Sequence, residues 1–486
     1  MHHATFLLLR DELRHHYNPY LTDDYDDQAQ ASISYVPVNC LLYADDVALV
    51  GHPSDVQRML DMAEVHSNML GYRWSPTKCM VLNAPPDASF KLYDQPLPTC
   101  ESFKYLGIPF NKEGIDTTAL LQHSTQRAIT SMRSLRDLGV HTYGFGLGAA
   151  TRAYQVFVRP ILEYGLAIAS FSDTQHNTTR LERAQRQCLR LCMARSHQSN
   201  MGTVHIATMS GLPPMAYRRR RLQALFIARA LSLLPDTLLY SVIRNRRQPS
   251  RSFLTSPWSN LLRSDTWATY RRFCRNPPHP KADPLAEALK HHLKAIMDRE
   301  IRTHVTLERG LTRVERSPVL YLPCTRKERH RLIKWRISWL PPKPYMACAC
   351  GAPEANRNHL FSACPLILPE VHNFTALLDP PPPASVNPLD FTLNQLPKTI
   401  PLSLGRWQTL WPALLSLLRR IDQVTSDGDF ESEPPAGELL LEASRARKQA
   451  HFVEPAKLLS PPAPAPEPEE SLSQLINNLE MADFYG

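Results

Sequence analysis

The sequence predicts an α+β fold with its strands early and its helices late, and three observations carry that prediction. Two apolar runs, Val38-Asn39-Cys40-Leu41-Leu42 and Val47-Ala48-Leu49-Val50-Gly51, flank Tyr43-Ala44-Asp45-Asp46 as the arms of a buried β-hairpin. From Asp116 to about Leu238 apolar residues recur at helical spacing, broken by Gly144 to Gly148. Further on, a basic helical run leads into a cluster of cysteines and a histidine, and then into proline-rich chain.

Taken in order, residues 1–112 read as hairpins with an interleaved helix. Ser54 to Leu70 places Val56, Met59, Leu60, Ala63 and Leu70 on one face, with Asp55, Gln57, Arg58, Asp61 and Glu64 on the other. Residues 113–240 form a helical region. Residues 241–324 are a basic, proline-interrupted linker with a helix from Pro284 to about Ile301. Residues 325–378 hold a basic helix from Thr325 to Trp339 and a Cys-Cys-His-Cys module. Residues 379–425 open on the stiff run Asp379-Pro380-Pro381-Pro382-Pro383 and continue into a helix from Leu402 to Val424. Residues 426–486 are a tail, with Ser426 to Glu470 rich in proline and glutamate and expected to be disordered. Its end differs: Leu472, Leu475, Ile476 and Leu479 share a helical face, which makes Ser471 to Tyr485 a candidate recognition helix for a protein partner.

With 486 residues, 43% of them hydrophobic, the chain can bury more than one core, while 43 prolines imply irregular stretches. The formal charge of +9 understates a basic middle, because the last sixty residues are acidic. That asymmetry points to a nucleic-acid partner. The first ten residues offer only a short apolar run before Asp11 and Glu12, so no signal peptide is read. No segment approaches the roughly twenty apolar residues of a membrane span, and no membrane partner is expected. The ten cysteines are scattered, as in a reducing compartment.

Carboxylates in an apolar hairpin are normally paired or bound to metal. Asp45 and Asp46 are therefore candidates for Mg²⁺ (or Mn²⁺), whose chemistry with phosphates is nucleotidyl transfer. The hairpin resembles the Tyr-x-Asp-Asp palm hairpin of reverse transcriptases, and further likenesses follow in order. Gly71-Tyr72-Arg73-Trp74-Ser75-Pro76-Thr77-Lys78 resembles a palm segment, and Phe103-Lys104-Tyr105-Leu106-Gly107-Ile108-Pro109-Phe110 resembles the primer-grip hairpin. Val156-Phe157-Val158-Arg159-Pro160-Ile161-Leu162-Glu163-Tyr164-Gly165, Leu181 to Arg190 and Gly211-Leu212-Pro213-Pro214 resemble segments that follow the palm in non-LTR, LINE-type retrotransposon polymerases. The resemblance implies a partial reverse-transcriptase palm, a thumb-like helical region and RNA-templated DNA synthesis from a DNA 3′ hydroxyl. Asp45 and Asp46 would hold the metal, Lys78 would protonate the leaving pyrophosphate, and Tyr43, Tyr105, Leu106 and Gly107 would contact the primer. It also implies an RNA template, a DNA primer or target, and an intracellular ribonucleoprotein of nucleus and cytoplasm.

Two-metal catalysis needs a third carboxylate from a separate palm strand. Asp23, Asp24, Asp26 and Asp27 read as an exposed loop and do not supply it. In the resemblance Ala4 to Leu13 matches a helix that follows the nucleotide-contacting segment, so the chain is expected to start past that segment and to be inactive alone. The alternative is a nucleic-acid-binding remnant without catalysis.

Cys348, Cys350, His359 and Cys364 offer thiolate and imidazole ligands suited to tetrahedral Zn²⁺. The set resembles the knuckle that follows LINE-type polymerases, except that one residue separates the first pair instead of two. The alternative is a packed turn without metal. Basic clusters lie at Arg218 to Arg221, Arg244 to Arg247, Arg271 to Arg275 and Arg326 to Arg336. In the last of them Arg329, Arg331 and Lys334 are candidates for phosphate contacts and Trp335 for base stacking.

Overall fold

The computed structural model of the protein describes residues 3–7, 40–169, 176–193, 203–234, 237–240, 261–276, 279, 281–303, 316–397, 405–426, 433–442 and 445–446. The aspartates at 23–27, the Arg244 to Arg247 cluster and the expected helix from Ser471 to Tyr485 lie outside these. The architecture is α+β, as predicted. Strands β1 (His3–Leu7), β2 (Cys40–Tyr43), β3 (Asp46–Val50), β4 (Met80–Leu82) and β7 (Thr99–Cys100) form one sheet in the order β2-β3-β1-β4-β7. Helix α1 (Pro53–Leu70) joins β3 to β4, and β5 (Lys91–Leu92) pairs with β6 (Gln95–Pro96). A second sheet holds β8 (Ser102–Tyr105), β9 (Ile108–Asn111) and β10 (Gly114–Ile115).

Ala4 to Leu13, expected as a helix, begins instead as strand β1, which lies parallel to both β3 and β4 with Thr5 opposite Ala48 and Met80. A short run such as Ala4-Thr5-Phe6-Leu7 suits either state locally. Its place between two strands decides for extended chain, because there its backbone groups complete the ladders of both neighbours.

The period of two sorts β3 between two layers. Val47 and Leu49 face α1, packing with Val56, Leu60, Val81 and Leu92. Ala48 and Val50 face the β8–β9 hairpin, packing with Leu82, Phe103 and Phe110. Helix α1 keeps the expected face at Val56, Met59, Leu60 and Ala63, whereas Leu70 is exposed at its end and Gly71 closes it with a left-handed φ of 71°.

The helical region comprises α2 (Thr117–Asp137), α3 (Leu147–Ala153), α4 (Arg159–Glu163), α5 (His176–Cys192), α6 (Thr203–Met209) and α7 (Met215–Leu231). Then come α8 (Asp265–Arg275), α9 (Pro284–Thr303), α10 (Arg326–Arg336), α11 (Arg357–Ser362), α12 (Leu368–Ala376), α13 (Pro388–Asn394) and α14 (Trp407–Thr425). Helix α10 starts on a capping box between Thr325 and Glu328.

The regions read as 113–240, 325–378 and 379–425 contribute to a common core. One hydrophobic cluster takes in Leu121, Met132, Tyr154 and Cys188 together with Trp335, Cys364, Phe374, Trp411 and Leu418. Trp411 of α14 donates its indole N–H to the carbonyl of Pro323 at 2.9 Å. The proline run is accordingly a surface connection within this body. Residues 433–442, expected within the disordered tail, are packed: Leu440 is buried and Gly437 donates its N–H to Glu328 at 2.9 Å. Among the described residues no helix is long and apolar enough to cross a membrane.

Candidate functional site

The Asp45–Asp46 hairpin closes through a two-residue loop, with Tyr43 opposite Asp46 and Ala44 at a left-handed φ of 52°. It is not the buried hairpin that the apolar runs suggest. All four residues of β2 are exposed because β2 is the edge of the described sheet; Asp45 is exposed and Asp46 half-buried. The charge therefore stands largely in solvent, and no burial forces a metal onto it.

The second expected hairpin forms as read. Leu106 and Gly107 make its loop with φ of 49° and 77°, the pattern of a two-residue turn with both central residues left-handed. Asp46 shares a strand face with Ala48 and Val50, which pack on this hairpin. Burial first, and then the charge of Asp46, raise the Tyr105 phenol above its ordinary pKa, so the two motifs stand within electrostatic reach. Lys78 ends a short helical turn, Pro76–Lys78, and is exposed. It precedes Met80 by two residues as Asp46 precedes Ala48, and Met80 and Ala48 flank Thr5 in register. Lys78 thus belongs to the turn that leads into β4, at the same end of the sheet as Asp46. The strand between them, His3-Ala4-Thr5-Phe6-Leu7, sets His3 opposite Asp46 and contains neither Asp nor Glu.

Segments distant in sequence meet behind the second hairpin. Tyr164 donates its phenolic O–H to the Leu106 carbonyl, and its ring lies 3.5 Å from where a side chain at Gly107 would begin. Gly165, at φ of 80°, lies against Ile108 and Leu120 so closely that a Cβ would come within 2.9 Å of Ile108. Tyr154 donates to Gln185 at 3.0 Å, and Gln185 to the Pro213 carbonyl at 3.2 Å. Arg218 forks onto Glu163 at 2.5 and 2.8 Å. Arg218 to Arg221, expected as a phosphate-binding cluster, are all buried, which corrects that reading. Arg271, Arg272 and Arg275 of α8 remain exposed.

The basic helix α10 is also corrected in part. Trp335 is fully buried, its indole N–H donating to Asp390 at 2.8 Å, with Arg357 stacked 3.7 Å over its ring, so no face is left for a base. Arg331 is buried between Asp422 (2.8 Å) and Glu433 (2.6 Å). Arg329 donates to the carbonyls of Val319 and Leu322 at 2.8 and 2.7 Å. These three hold the fold. Lys334 is half-buried and lines an open groove together with Arg326, Lys327 and His330.

Cys348, Cys350, His359 and Cys364 do converge. Their ligand atoms all lie within 4.8 Å of one another, with Cys348 Sγ 3.7 Å from Cys364 Sγ and Cys350 Sγ 3.2 Å from His359 Nε2. A tetrahedron with Zn–S bonds of about 2.3 Å has an edge of about 3.8 Å, close to the 3.7 Å between the Cys348 and Cys364 sulfurs, so the set is compatible with zinc. The one-residue spacing of the first pair is accommodated by a tight turn. Gly351 donates its N–H to the Cys348 carbonyl at 2.8 Å and adopts a φ of 94°. His359 rides on α11, whose Asn356 cap accepts its backbone N–H at 2.9 Å. The Ala352 N–H lowers the Cys350 thiol, while burial pushes that of Cys364 up to about 11. The cluster can hold a metal ion, and its donor set suits Zn²⁺.

Sequence reasoning missed Tyr143 and Phe145, two exposed aromatics that face the basic side of α10. Their signal lies in the segment read only as a break, His141-Thr142-Tyr143-Gly144-Phe145-Gly146, which alternates rings and glycines. Compared with known protein families, with curated proteins and with solved structures, the chain gives no match.

Proposed function

We propose that the protein is a nucleic-acid-binding member of the non-LTR reverse-transcriptase lineage whose palm-like hairpin does not polymerise on its own. Support for the lineage is the meeting of Asp46, the Tyr105-Leu106-Gly107 turn and Tyr164 from segments read separately as family motifs. The observation that carries the absence of catalysis is the strand beside Asp46, in which His3 takes the register position and no carboxylate is present. Phosphoryl transfer on two bridged Mg²⁺ ions needs more acidic ligands than Asp45 and Asp46 provide. In this reading RNA and DNA are held by exposed cations, and Zn²⁺ on Cys348, Cys350, His359 and Cys364 is structural.

Template-primer extension in Mg²⁺ or Mn²⁺ is expected to give no product. Binding of the same template-primer should weaken steeply between low and physiological salt, with or without Mg²⁺. Extension that Asp45→Ala abolishes would establish catalysis and overturn that half of the reading. Failure to bind any nucleic acid at low salt would overturn the other half.

A further inference from the structure

We propose that the groove between the 139–146 loop and α10 binds single-stranded nucleic acid, with Tyr143 and Phe145 stacking on bases and Arg326, Lys327 and Lys334 meeting phosphates. This deepens the nucleic-acid reading and rests on it.

The loop is a preformed platform. Thr142 donates its N–H and its hydroxyl to the Cys192 carbonyl at 2.8 and 3.1 Å, and Phe145 donates to Gly139 at 3.0 Å. Gly144 and Gly146 both donate to the His141 carbonyl at 3.0 Å. At Gly144 a side chain would run into the Gly139 carbonyl, 1.8 Å away, so the loop closes only with glycine there. On this pinned backbone the rings stand out: Tyr143 is 47% and Phe145 69% exposed. Large apolar rings held rigidly in solvent lose little entropy when a partner covers them.

The opposite wall identifies the partner. The groove, about 640 Å³, is faced by Arg326, Lys327, His330 and Lys334 of α10, and the His330 ring lies 5.4 Å from that of Tyr143. Its acidic residues, Asp422 and Glu433, both bind the buried Arg331. Lys327 approaches Glu433 at 3.6 Å with its own side chain still 58% exposed. Rings beside exposed cations such as Arg326 and Lys327 suit a polyanion with accessible π faces. Bases in a duplex stack on one another, so the fitting ligand is a single strand, recognised by stacking along a basic track.

Fluorescence anisotropy of labelled single-stranded RNA, single-stranded DNA and a duplex of matching length tests this on the full zinc-loaded chain. Either single strand should bind more tightly than the duplex; a preference for duplex would overturn the proposal. Replacing both Tyr143→Leu and Phe145→Leu should weaken single-strand binding by about tenfold or more, whereas Tyr143→Phe should bind as the parent does. Lys334→Gln should reduce the slope of log affinity against log salt by roughly one. Unchanged affinity in a double variant with parental zinc content and melting temperature would refute the groove and leave the nucleic-acid reading standing. A parent chain that binds no nucleic acid would overturn both. If the double variant does not fold, photocrosslinking the parent to a thiouridine-bearing strand decides: adducts on Tyr143 or Phe145 support the groove, and adducts confined elsewhere refute it.

Discussion

Two constellations in this chain carry the chemistry of a metal site, and the fold treats them oppositely. Asp45 and Asp46 are neighbours in sequence, yet one sits exposed in a turn and the other opens β3, the strand next to the edge. Cys348, Cys350, His359 and Cys364 span a turn and a helix, yet their ligand atoms gather within 4.8 Å. Adjacency along an extended chain spreads side chains apart, whereas a turn followed by a capped helix gathers them. Convergence, not proximity in sequence, distinguishes the stronger site.

The sharpest way to break this comparison is to remove metal from the convergent site. Stoichiometric zinc is expected on metal analysis, and Co²⁺ substitution should give a thiolate charge-transfer band. Chelation or Cys364→Ser should lower stability by several kcal/mol in thermal unfolding, because a metal bound only by the folded cluster stabilises the folded state. Near-zero metal in the purified chain would remove the site. Next in size is the ion cluster that fixes α10. Glu433→Gln removes the carboxylate that pairs with the buried Arg331 and with Arg419, and should cost about 3 kcal/mol in denaturant melts.

That cluster also sets a pH dependence. The hydrogen bond from Arg331 holds the Glu433 carboxyl below its ordinary range, so the unfolded chain binds the proton first as pH falls. Its contribution is full above the unfolded glutamate value of about 4.3 and is lost as pH drops through the lower folded value. The parent should therefore lose stability more steeply below about pH 4 than Glu433→Gln does; parallel acid limbs would refute the assignment.

Gly165→Ala should follow at about 1–3 kcal/mol, from a left-handed backbone and contact with Ile108 and Leu120. Smallest is Asp45→Ala, expected within about 0.5 kcal/mol of the parent and with the same zinc content. A larger loss would show that the hairpin holds its charge against the fold, contrary to its exposure.

What was legible in the sequence was local. The first hairpin follows from apolar runs around its turn, the second from its likeness to a family motif, α1 from its periodicity, the start of the basic helix near Thr325 from its sequence pattern, and the metal cluster from its residue types. What was not legible depends on partners far along the chain. Trp335 reads as a stacking residue until Asp390, 55 residues away, is seen to accept its N–H. Arg218 reads as a phosphate ligand until Glu163, also 55 residues away, takes its fork. Strand β1 was missed because a short run such as Ala4 to Leu7 has no periodicity to separate strand from helix. Tyr143 and Phe145 were passed over because a glycine-bearing break says nothing of what its rings face.

The contact between Arg331 and Glu433 joins residues 102 apart. Arg331 on α10 thus takes its counter-charges, Asp422 and Glu433, from chain about a hundred residues further on. Closing so long a loop comes late and slowly compared with the hairpins. The stretch near residue 433 therefore completes the packing around α10, and a chain truncated before it is expected to be cleaved faster by protease than the full chain.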